Sequence, residues 1–82
     1  MPTLFSDLML NDRGFVFDPA SGETFQLSVT GLRVVRLLQD GADEAAVHAT
    51  ILAEFEVDEN TVHRDVEDFL KTIEQIGWRA GV

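Results

Sequence analysis

The stretch GETFQLS, residues 22–28, runs directly into VTGLRVVRLL, residues 29–38, and the change of period between them decides the fold. Thr24, Gln26 and Ser28 alternate with Phe25 and Leu27, the two-residue rhythm of a strand with one face on a core. Past Ser28 the rhythm changes. Leu32, Val35 and Leu38 recur at helical spacing, Ser28 or Thr30 is placed to cap the first turn, and Gly41 ends it, so a helix spans about Thr30 to Gln39. A last strand therefore passes straight into a helical remainder, which raises the question of what pairs with its outer edge.

Upstream, the chain reads as further strands. DLMLN puts Leu8 and Leu10 on one face. NDRG, residues 11–14, is turn chemistry, because Asn and Asp side chains hydrogen-bond nearby backbone and Gly tolerates the turn geometry. FVF, residues 15–17, is a compact strand, and DPASGE closes the next loop through Pro19 and Gly22. Short loops between successive strands make an antiparallel meander the natural pairing.

Downstream, two more helices follow. One starts at Asp43 as its N-cap and carries Val47, Ile51, Leu52 and Phe55. The other runs from Asp58 to about Ile76 with a stripe of Val62, Val66, Phe69, Ile73 and Ile76, Leu70 alongside, and Gly77 as the residue that stops it. The expected fold is α+β, winged helix-turn-helix-like, with a three-stranded antiparallel sheet followed by three helices. Residues 1–82 read as a single domain whose ends, 1–3 and 79–82, fray.

Composition narrows the function. The chain has 82 residues, 45% of them hydrophobic with six Phe, enough for a real core. No apolar run approaches the roughly 20 residues of a bilayer span, so the chain reads as soluble and cytoplasmic, with no membrane partner. It has no Cys, which removes disulfides, thiolate metal sites and Cys nucleophiles. The net charge of −9 repels phosphate backbones. From Asp58 to Ile76 six acids (Asp58, Glu59, Asp65, Glu67, Asp68, Glu74) face two bases (Arg64, Lys71), the wrong surface for a recognition helix in a DNA groove.

Catalysis has little to stand on. Ser6, Ser21 and Ser28 sit in no nucleophile elbow, and the glycines form no phosphate cradle. His48 and His63 are the two histidines. His63 and Glu67 stand at i and i+4, a spacing that can share a metal, but the sequence shows no further ligand motif around them. A solvated His–Glu pair is the commoner origin of that spacing, and no cofactor is expected.

The outer edge of the Thr24–Ser28 strand is the stronger lead. It carries no Lys, Pro or bulge of the kind that blunts edges. A helix from Asp58 to Ile76 spans about 28 Å, while a five-residue strand spans about 17 Å, so part of the helix's apolar face overhangs the sheet. A peptide can add to the edge and place side chains in that groove, which is β-augmentation.

The ordered segments FDPASGETFQL, TGLRVVRLLQDG and VDENTVHRDVEDFLKTIEQIGW resemble the PqqD family, small peptide chaperones whose fold is called the RiPP recognition element. Phe25, Leu27, Leu37, Leu38, Gly41, Val57, Asp65, Val66, Phe69, Leu70 and Gly77 carry the resemblance. The chain departs from the family at Ser28, often Asn there, and at Val35, frequently Trp. The resemblance implies a non-catalytic module that captures the leader segment of a ribosomal precursor peptide and presents it to a modifying enzyme, often a radical SAM enzyme. By the same resemblance Thr24, Phe25, Gln26, Leu27 and Ser28 supply the strand edge, and Val62, Asp65, Val66, Phe69 and Leu70 supply the helix wall. The competing readings are a degenerate winged-helix DNA binder and a dimerisation domain; the chain is expected to be a monomer or a weak homodimer.

Overall fold

Two side-chain-braced turns set the course of the first quarter of the chain. Asn11 Oδ1 accepts the backbone N–H groups of Arg13 and Phe15 at 2.9 and 3.1 Å. Asp18 closes the second turn, its carboxylate accepting Ala20 N–H at 2.9 Å and its carbonyl accepting Gly22 N–H at 2.8 Å. These turns separate β2 (Met9–Leu10), β3 (Phe15–Asp18) and β4 (Glu23–Gln26), which form an antiparallel sheet in the order β2-β3-β4. The computed structural model describes residues 3–80. Before the sheet come β1 (Thr3–Leu4) and a 3-10 turn at Phe5–Asp7; after it come α1 (Val29–Gln39), α2 (Glu44–Glu54), α3 (Glu59–Ile76) and β5 (Trp78–Arg79). The architecture is α+β, a three-stranded antiparallel sheet followed by three helices.

Each helix starts on a capping side chain. Ser28 Oγ accepts Gly31 N–H at 3.0 Å, Asp43 accepts Ala46 N–H at 2.8 Å, and Asp58 accepts Thr61 N–H at 3.3 Å. Each cap contributes about 1 kcal/mol by satisfying a donor that the helix itself leaves free. Ser28, not Thr30, caps α1, so the helix begins one residue earlier than the spacing predicts. α3 ends on Gly77, whose φ of 101° lies in the left-handed region that favours glycine.

The core consists of two buried clusters. Phe5, Leu8, Val16, Val35, Ile73 and Trp78 lie between the sheet and the helices. Val34, Val47, Ile51, Val62 and Val66 lie among the helices. Leu38, Phe69 and Leu70 pack against both and join them. Gln39 fastens the 3-10 turn to α1 by donating to the carbonyls of Phe5 and Leu8 at 2.8 and 2.9 Å.

The sequence gives no sign of one element. β1 and β5 form a parallel pair with Thr3 opposite Trp78 and Leu4 opposite Arg79. Thr3 N–H donates to the Gly77 carbonyl at 2.9 Å. Beneath the pair lies Asp18, 3% exposed, whose carboxylate accepts the Thr3 hydroxyl at 2.7 Å and Trp78 Nε1–H at 2.9 Å. The Thr3 hydroxyl, more than the Trp78 and backbone donors, holds the Asp18 carboxyl below its ordinary range against the opposing effect of burial. Thr3 and Arg79, expected to fray, are thus held in place, while residues 1, 2, 81 and 82 lie outside the described residues.

Candidate functional site

Among the described residues, β4 has β3 on one side and no strand on the other. Its register sets Val16 opposite Phe25 and Phe17 opposite Thr24, and Leu27 N–H donates to the Gly14 carbonyl at 2.7 Å. Antiparallel pairs alternate between bonded and unbonded positions. Phe25 and Leu27 therefore turn their backbone groups toward β3, and the N–H and C=O of Thr24 and Gln26 point outward. The side chains divide the same way. Phe25 and Leu27 pack against the core, and Phe25 meets the Trp78 ring edge-on at a centroid distance of 5.2 Å. Thr24 and Gln26 are exposed.

Past Gln26 the chain leaves the sheet through Leu27 and enters α1 at its Ser28 cap. At that point a cleft of about 420 Å³ opens between the first turns of α1 and the middle of α3. Ser28, Thr30, Gly31 and Val34 line one side, and Asp65, Val66, Asp68, Phe69 and Thr72 line the other. Gly31 is buried, and a Cβ there would meet Phe69 Cε1 and Ser28 Oγ, each at 3.3 Å. The bare backbone lets α1 approach the Phe69 ring closely, so Phe69 forms part of the cleft while also joining the two core clusters. Asp65 and Asp68 are exposed, and no cation is among the lining residues. The cleft thus couples an apolar surface to a negative rim.

The residues singled out from the sequence divide into three groups. Thr24, Phe25 and Gln26 lie in β4, Leu27 continues its ladder by one bond, and Ser28 belongs to the helix cap. Ser28, Asp65, Val66 and Phe69 meet in the cleft. Val62 and Leu70 do not line it: Val62 is 5% exposed in the helical cluster, and Leu70 packs against both clusters. Val66, expected in the helix wall of the groove, is only 1% exposed and is a core residue. α3 turns it toward Val34, Val47 and Ile51, so only its edge reaches the cleft. Thr30, Gly31 and Val34 escape the sequence reading because the first helix reads wholly as packing, and Asp68 and Thr72 because they flank the apolar stripe of α3. The hint available for α1 was Gly31, a poor helix former inside a helical pattern and hence a mark of close approach.

The family model for coenzyme PQQ synthesis protein D (PqqD) matches residues 13–78. The chain belongs to the PqqD family. The matched span takes in β3, β4, all three helices and Trp78, that is, the edge and the cleft together. The fold is also similar to a solved structure of lasso peptide synthetase B1 complexed with the leader peptide. The TM-score is 0.71 at 29% sequence identity, covering 87% of this chain and 85% of that one. No curated protein matches the chain. Among the described residues, no helix is long and apolar enough to cross a membrane.

Proposed function

We propose that this PqqD-family chain is a non-catalytic module that captures the leader segment of a ribosomal precursor peptide. It takes up the leader as a strand added to β4 and presents it to a modifying enzyme. The observation that carries this reading is the outward-facing backbone of Thr24 and Gln26, which leads without interruption into the α1–α3 cleft. Backbone bonds along β4 supply affinity with little regard to sequence, and the cleft supplies selectivity by accepting alternate side chains. An apolar leader residue is placed against Phe69, and a Lys or Arg beside it meets Asp65 and Asp68. The membership in the PqqD family and the likeness to a leader-bound synthetase component support the reading. Capture without catalysis also suits a chain whose cleft holds no nucleophile paired with a base.

The test is a titration of the isotopically labelled protein with a synthetic leader peptide. The peptide is the N-terminal segment of a short precursor, to be sought among the genes near this chain's own. Backbone amide shifts at Thr24 and Gln26, together with Asp65, Phe69 and Thr72, are the expected result. Binding that leaves β4 unperturbed and maps to the turn between α2 and α3 would overturn the mechanism. Adding an enzyme that modifies that precursor then asks whether peptide turnover rises with this protein present.

A further inference from the structure

The face of α3 turned away from the cleft carries a second constellation. Glu44 and His48 stand one turn apart on α2, His63 and Glu67 one turn apart on α3, and the two pairs face each other. One donor atom each from His48, His63 and Glu67 lies within 4.8 Å of the others. His48 Nε2 is 3.5 Å from the Glu67 carboxylate and 3.6 Å from that of Glu44. It is also shut off from water and makes no hydrogen bond. A buried nitrogen with no partner is uncommon, and two carboxylates just beyond hydrogen-bond reach do not satisfy it. The spacing does suit a small cation. Four donors at the roughly 2.0–2.2 Å of zinc–nitrogen and zinc–oxygen bonds stand about 3.3–3.5 Å apart in a tetrahedron.

We propose that His48, His63 and Glu67 form a site for one divalent first-row transition ion, zinc in the first instance, that clamps α2 to α3, with the Glu44 carboxylate 3.6 Å from His48 beside it. A donor set of two imidazoles and one carboxylate, with a fourth position left to water, is one that zinc accepts. The rings of His48 and His63 stack at a centroid distance of 5.0 Å, so one of them has to swing to aim its nitrogen at a shared ion. His63 is exposed and free to do so. The His63–Glu67 spacing is local to α3, whereas the rotation of α2 that brings His48 to it is set by packing. The site is separate from the peptide cleft and does not depend on its occupant.

The full chain is titrated with zinc against a chromophoric chelator at pH 7.5, and with cobalt to read the visible absorption of a tetrahedral site. One equivalent should bind, raise the melting temperature, and bind more weakly in acid, where protons compete for the ligands. His63→Gln and Glu67→Gln change surface or half-buried side chains, and circular dichroism verifies that both variants fold. Each should weaken zinc binding by at least about tenfold and remove the cobalt band, while Glu74→Gln, elsewhere on α3, should leave both unchanged. Absence of a saturable single site, or equal binding by wild type and His63→Gln, would overturn the proposal.

Discussion

Proline at position 26 isolates the backbone contribution to peptide capture. Gln26 turns its N–H away from β3, so the substitution removes no bond within the sheet. The pyrrolidine ring projects from the free edge, where proline is tolerated in sheets. Phe25, the residue before it, is already extended, as a residue preceding proline prefers. The edge offers a peptide four backbone groups, an N–H and a C=O from each of Thr24 and Gln26. Q26P deletes one donor and leaves one peptide carbonyl facing a methylene instead of an N–H. A typical backbone bond contributes about 0.5–1.5 kcal/mol net, and an acceptor stranded without water costs about 1–3 kcal/mol. The expected loss is about 1–3 kcal/mol, which is about a 5- to 150-fold rise in Kd. Q26A is the matched control, because it removes the exposed side chain and keeps the N–H. Isothermal titration with the leader peptide should separate the two, Q26A lying within about twofold of wild type. Equal affinities for Q26P and wild type, with Q26P folded, would refute strand addition at this edge. Equal losses in Q26P and Q26A would place the interaction on the side chain instead.

Asp18 anchors three donors in a buried setting, so D18A should cost about 3–5 kcal/mol in chemical denaturation, a large part of the roughly 4–12 kcal/mol total for a chain of this length. Folding lowers the Asp18 pKa below its unfolded value of about 3.9. Its share of stability is therefore complete above about pH 5 and is lost as pH falls through the native value, and D18N should flatten that acid arm of the stability profile. Trp78 is 3% exposed, so its emission should be blue-shifted in the native protein and move red in denaturant; native emission typical of exposed indole would contradict its packing on Phe25. V66D should unfold the protein by placing a charge among Val34, Val47 and Ile51, with loss of the cooperative melting transition as the readout. The fold itself should stand without metal, so protein treated with a strong chelator should keep its far-ultraviolet circular dichroism and melt cooperatively.

The parts of this fold that were legible in the sequence are those with local causes. Ser28, Asp43 and Asp58 each bond a backbone N–H three residues on, and Gly77 supplies a left-handed residue at a helix end. Such contacts are written within one turn of chain, and a reader of residue types can place them. The open edge of β4 was legible for a related reason, since a meander of short loops fixes strand order. What escaped depends on distant residues. The β1–β5 pair is two residues long and rests on Asp18 bridging Thr3 to Trp78. Val66 and Phe69 share an apolar stripe three residues apart, yet one is core and the other is rim. A 3.6-residue period gives a stripe its width but not the point where the neighbouring helix covers it. The α1 side of the cleft and the meeting of His48 with His63 follow from helix rotations that only packing decides.

The parallel pairing at the chain's extremities sets residues 3 and 78 on neighbouring strands, about 4.8 Å apart. Because the strands run parallel, the chain enters at one end of this two-residue ribbon and leaves at its other end, a short way apart. A host protein could carry the whole fold inside one surface loop, spliced at both extremities, with no linker long enough to cross its breadth. The splice would occupy one small ribbon and leave the outward groups of Thr24 and Gln26, in the other sheet, free to act.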